Sequence, residues 1–169
     1  MNPAAQLDSF LAKYTPEIQA AAKIALDKMR KQYPSALELV YDNYNALAIG
    51  FSPGERVSEA IFSIALYPRW VSLFFLQAKK LPDPDKLLQG SGTQAKHIVL
   101  TTPEKLDEPA VKKLMKEAVA VATHPFAPSG THRLIIKSVS AKQRPRRPAD
   151  PTAKTRNLTA RKAKAGTRA

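Results

Sequence analysis

The stretch LELVYDNYNALAIGFSPGERVSEAIFSIALYPRWVSLFFLQ, residues 37–77, decides the fold. Leu37, Leu39 and Tyr41 alternate with Glu38, Val40 and Asp42, and Leu47, Ile49 and Phe51 alternate with Ala46, Ala48 and Gly50. A period of two marks a strand, because successive side chains leave a pleated backbone on opposite sides. Val57 to Leu66 and Trp70 to Gln77 are richer still in Ile, Phe, Val and Trp, which suit a half-buried pleated surface. Asn43-Tyr44-Asn45, Ser52-Pro53-Gly54-Glu55 and Tyr67-Pro68-Arg69 separate these runs with turn chemistry. Parallel neighbours need a dozen or more residues between them, and these connections are far shorter. The stretch predicts an antiparallel meander.

Outward from it the period changes to that of a helix. Upstream, Thr15-Pro16-Glu17 offers a hydroxyl cap, a proline at the first helical position and an acid at the positive dipole end. Ile18, Ala22, Ala25 and Met29 follow at helical spacing, and Pro34 stops the run. Leu7, Phe10 and Leu11 after Pro3 predict a shorter helix before it. Downstream, Leu81 to Asp85 and Gly90-Ser91-Gly92 read as loops, and His97 to Thr101 as a short fifth strand. Asp107 is placed to cap a second long helix whose buried stripe is Val111, Leu114, Met115, Ala118, Val119 and Ala122. Leu134, Ile135, Ile136 and Val139 make a last strand. The predicted class is α+β: an antiparallel meander sheet of five to six strands with helices packed on one face.

The charge divides the chain. Its 169 residues carry a net +13, yet residues 1–140 hold 17 Lys+Arg against 13 Asp+Glu, a net of +4. Residues 141–169 hold ten basic residues against Asp150 alone, a net of +9, and one large aliphatic residue, Leu158. Such a segment buries too little apolar surface to offset ordering costs of ~1–2 kcal/mol per residue. The expected organisation is a domain over 1–140 and a disordered basic tail over 141–169. Lys142, Arg144, Arg146, Arg147, Arg161, Lys162 and Lys164 then attract nucleic acid or another polyanion without reading sequence, since the tail has no aromatic to stack on bases. A solubilising extension is the alternative.

The absence of Cys removes disulfides, thiolate metal sites and thiol nucleophiles. Met1 to Leu11 lacks the pattern of a secretory signal, and Pro68 and Arg69 interrupt the apolar run from Ala60 to Ala78. The expectation is a cytoplasmic protein without a membrane partner.

Several clusters could carry chemistry. Tyr41, Asp42, Asn43, Tyr44 and Asn45 set phenols and amides beside apolar strands, as a wall for an unidentified small ligand or as turn chemistry with half-buried tyrosines. Tyr67, Arg69 and Trp70 offer a stacking or cation–π platform, or simply anchor a hairpin. Gly90, Ser91 and Gly92 present backbone N–H groups without the ending of a phosphate loop. His97, with Asp83 or Asp85, is the candidate for a metal, although the spacing matches no metal motif. No Gly-x-Ser-x-Gly occurs and no histidine sits in a general-base context, so the reading is non-enzymatic binding, with an unrecognised small-molecule enzyme as an alternative.

Val40 to Phe51, Ala60-Ile61-Phe62 through Tyr67-Pro68-Arg69-Trp70, Leu88 to Gly92 with His97-Ile98, and Leu134 to Arg147 together resemble the YdhG-like domain family, whose function is largely undefined. The likeness runs roughly from Leu37 to Lys142. It implies an α+β domain broadly similar to frataxin-like iron-binding proteins, some relatives being described as iron chaperones, so iron is the cofactor the resemblance suggests. Hard cations want clustered carboxylate oxygens, and the first long helix holds Glu17 and Asp27 against four basic residues.

Overall fold

Asn2 and Thr15 start the two N-terminal helices. In α1 (Pro3–Leu11) the Asn2 Oδ1 accepts the Ala5 N–H at 2.8 Å, and in α2 (Pro16–Gln32) the Thr15 Oγ1 accepts the Ile18 N–H at 3.4 Å. Each helix opens on a proline, whose missing N–H would have had no intrahelical partner. This computed structural model describes residues 1–150; residues 151–169, with Arg161, Lys162 and Lys164, lie outside the described part.

The meander follows as β1 (Leu37–Asp42), β2 (Leu47–Ser52), β3 (Phe62–Leu66) and β4 (Val71–Phe75), each antiparallel to the one before. β5 (Lys96–Leu100) pairs antiparallel with β4. After α3 (Pro109–Val121), β6 (Arg133–Val139) returns to the opposite edge and pairs parallel with β1. The six-stranded order is β5-β4-β3-β2-β1-β6, an α+β sheet that is mixed, not purely antiparallel. The long route through α3 permits this: only a crossover of that length can deliver a parallel neighbour.

Two boundaries differ from the sequence pattern. Val57–Glu59 is a 3₁₀ turn and not the start of a strand, its Glu59 N–H closing on the Arg56 carbonyl at 3.0 Å. Asp107 does not cap α3. It ends the 3₁₀ turn Pro103–Asp107, and its carboxylate takes the Lys28 ammonium at 2.6 Å, which ties that turn to α2.

Register places Glu38, Val40 and Asp42 in line with Phe51, Ile49 and Leu47, and these in line with Phe62, Ile64 and Leu66. Val71, Leu73 and Phe75 continue the set on β4. This is the helix-facing side, where Ile18, Ala22, Ala25, Leu26 and Met29 of α2 complete the core with Val111, Leu114 and Met115 of α3. Two carboxylates, Glu38 and Asp42, therefore stand in the apolar face of β1. Both are fully buried.

Candidate functional site

The other face of the sheet is built from small residues. Across it run the rows Tyr41–Ala48–Ala65–Ser72 and Leu39–Gly50–Ser63–Phe74–His97. The segment between β2 and β3 folds over part of this face. A Cβ on Gly50 would meet the Ala60 Cβ at 3.8 Å, and Glu55 pairs with Arg133. What stays open is a groove of about 520 Å³ floored by Ala48, Ser63 and Ala65 and walled by Tyr44, Tyr67 and Phe74. Asn43, Asn45 and Ser140 supply its polar end.

Aromatic pairs stiffen the walls. Tyr67 stacks on Trp70 with ring centres 4.9 Å apart, across the tight turn closed by the Tyr67 N–H and the Trp70 carbonyl at 2.9 Å. Phe74 lies 5.1 Å from the His97 ring. Gln89 pairs with His97 through two backbone hydrogen bonds, and Gly90 follows at φ 113°, a backbone region that glycine enters without strain. A Cβ there would lie 3.5 Å from the His97 Nδ1, so the Gly90–Gly92 loop rises beside the Phe74 wall. Burial raises the pKa of the Tyr41 and Tyr67 phenols, keeping them neutral hydrogen-bond donors.

The sequence placed the domain end at 140 and a free basic tail beyond it. The described structure carries the packed body further. Ser140 donates its N–H to the Asp42 carbonyl at 2.8 Å, and the Arg144 N–H reaches the Tyr44 carbonyl at 2.9 Å. Arg146 is 5% exposed: it bonds the Asp42 Oδ1 at 2.8 Å and the Asn43 carbonyl, with its guanidinium 5.8 Å from the Tyr14 ring centre. Arg147 donates to the Lys13 carbonyl at 3.2 Å, just past the C-terminus of α1 where a cation is favoured. Residues 140–147 thus form a strap clasping the Asn43–Asn45 turn. The cause is Asp42, whose buried charge would be costly without partners. Lys13 supplies the second, at 2.7 Å.

Of the expected polyanion contacts within the described residues, Lys142, Arg144 and Arg147 are exposed and Arg146 is committed to the interior. Arg144 lies over the Tyr44 ring at 5.5 Å. Glu38, which sequence reasoning did not single out, receives two parallel bonds from Arg30 at 2.9 Å each and a contact from His132. That fork joins α2 to β1 and to the entry of β6. Two acids four apart in a strand were the available signal, since a charge inside a sheet demands a partner.

The metal candidates do not assemble. The Asp83 oxygens take the Leu87 and Leu88 N–H groups at 2.9 Å each, a turn-stabilising role. Asp85 lies in a shallow crevice beside α3, with Lys113 and Glu117, and His97 rests on Phe74. Among the described residues no three His, Asp or Glu side chains gather to hold a metal ion. Tyr41 and His97 share a face but sit on β1 and β5, roughly 19 Å apart at about 4.8 Å per strand. They cannot act on one small substrate. No helix among the described residues is long and apolar enough to cross a membrane.

No family model, no curated protein and no solved structure matches the chain. The functional reading therefore rests on the groove, its strap and its charge.

Proposed function

We propose that the protein is a non-enzymatic binding module whose recognition surface is the groove on the helix-free face of the sheet. Basic residues of the C-terminal region add sequence-independent attraction for polyanions. The observation that carries the reading is the juxtaposition of a small-residue floor, Ala48, Ser63 and Ala65, with aromatic walls and an asparagine-lined end. Binding sites are concave and mostly apolar with a few placed polar groups, and this groove has that make-up.

Melting the full chain against nucleotides, oligonucleotides and metabolites tests the reading when repeated on Ala48→Phe, which fills the floor without entering the core. A ligand at about 100 times its Kd adds about 2.7 kcal/mol, or roughly 5–10 °C for a domain of this size. The shift should appear in the natural chain and vanish in Ala48→Phe. A ligand that stabilises both equally binds elsewhere, and the groove then loses its role.

A further inference from the structure

We propose that the groove takes single-stranded nucleic acid, with unpaired bases stacking on its aromatic side chains and phosphates meeting the cations at its rim. This rests on the binding-module reading above and names the ligand of that same surface.

The aromatic placement is the first support. Tyr44 and Trp70 are 49% and 43% exposed, unusual openness for such large rings. Trp70 is held flat by Tyr67, and Phe74 by His97, so neither ring must be ordered when a base arrives. Trp70 and Phe74 are four residues apart on one face, roughly 13 Å at about 3.3 Å per residue. Ser72 lies between them on β4, and Ala65 and Ser63 lie opposite on β3, so the face between the two rings carries only small side chains. Base stacking on protein aromatics tolerates any sequence because every base has a π-face.

Charge is the second. None of the residues lining the groove is acidic. Arg69 is exposed between Tyr67 and Trp70, while Arg144 over Tyr44 and exposed Lys142 mark the other end. The acid under the strap, Asp42, is buried and already neutralised by Lys13 and Arg146. The whole chain carries +13. A duplex would offer its phosphates but keep its bases stacked on one another, and an acidic peptide would leave the rings without planar partners. Stacked and exposed aromatics beside exposed cations fit a single strand best.

Trp70 is the only tryptophan in the chain and stacks on Tyr67, a wall of the groove, so its emission reports on ligand at that wall. Labelled oligothymidylate is titrated into the full chain by anisotropy while Trp70 emission is followed. Parallel titrations use an abasic deoxyribose-phosphate strand of equal length, a duplex, and polyglutamate. Oligothymidylate should bind about tenfold more tightly than the abasic strand and quench Trp70. Tyr44→Ala and Phe74→Leu should each weaken oligothymidylate about tenfold and leave abasic-strand binding unchanged. Arg69→Gln should lower the slope of log affinity against log salt by about 0.7, one phosphate contact on a single strand.

Equal affinity for the oligothymidylate and abasic strands overturns the proposal, as does unquenched Trp70 at saturation. Polyglutamate or duplex binding as tight as the single strand overturns it too. If the proposal fails in these ways while Ala48→Phe still blocks a small ligand, the groove remains a binding site for another chemistry. If Ala48→Phe affects no ligand, both readings fall.

Discussion

The Arg146 guanidinium lies 2.8 Å from the Asp42 carboxylate, with only 3% and 1% of the two side chains open to water. The pair joins a strand of the meander to a segment whose composition is that of a flexible tail. Removing one partner of a dry ion pair strands the other, typically at about 3–5 kcal/mol. Arg146→Ala should cost about 3 kcal/mol, near the lower end because Lys13 still reaches Asp42. Urea midpoints measure it. The double variant Asp42→Leu/Arg146→Met should recover most of the loss, since Lys13 is 39% exposed and can turn to water. If Arg146→Ala melts with the natural chain, the strap is not held by this pair.

The same contact predicts where the chain can be shortened. A protein ending at 150 keeps Gln143, Arg144, Arg146 and Arg147 in place against Lys13, Asp42 and the Asn43–Asn45 turn. One ending at 140 leaves Asp42 with a single cation. Ending at 150 should preserve the melting temperature, whereas ending at 140 should lower stability by about 3 kcal/mol or more. Equal stability of the two would place the domain end at 140 after all.

Glu38 and Arg30 predict an asymmetry. Glu38 is fully buried and its partner is 37% exposed. Arg30→Met leaves a buried carboxylate facing His132 alone, at a cost of about 3–5 kcal/mol. Glu38→Met leaves a guanidinium free to swing into water and adds apolar surface beside Phe51, so it should cost less than half as much. Denaturant midpoints of the two variants decide it, and a larger loss for Glu38→Met would contradict the assigned burial.

Much of this was legible in residues 37–77, because alternation and turn chemistry are local. Thr15-Pro16 likewise announced α2 where it begins. Which face of β1 turns to the helices was not. Leu37, Leu39 and Tyr41 are the more apolar set, yet Glu38, Val40 and Asp42 face inward, because their cationic partners come from elsewhere in the chain. Those partners lie 8, 29 and 104 residues away, at Arg30, Lys13 and Arg146. No short window of sequence contains all three. Arg146 sits in a run of arginine and proline that looks like solvated tail until Asp42 is known to be buried. The same holds for the groove: Tyr44, Tyr67 and Gly90 stand in separate stretches of sequence, and that Ala48, Ser63 and Ala65 form one floor follows only from strand register. The parallel pairing of β6 depends on α3 crossing the sheet, another long-range fact.

Tyr14 ties these layers together and gives the chain an alkaline limit. Its phenol is buried, donates to the Leu66 carbonyl at 3.0 Å and accepts the Leu47 N–H at 3.1 Å, linking the end of α1 to β2 and β3. Burial pushes its pKa from 10 up to about 12, against the opposing pull of Arg146. A pKa raised on folding means stability that is whole below the unfolded value and lost as pH climbs through the folded one. That rise is worth roughly 3 kcal/mol, lost between pH 10 and about 12. Burial raises the Tyr33 phenol in the same sense. Urea midpoints followed from neutral pH into that window should fall steadily. Tyr14→Phe should begin about 2 kcal/mol lower at neutral pH, with two buried backbone groups left unpaired, and then decline more shallowly. An alkaline slope identical to that of the natural chain would show that another group sets the limit.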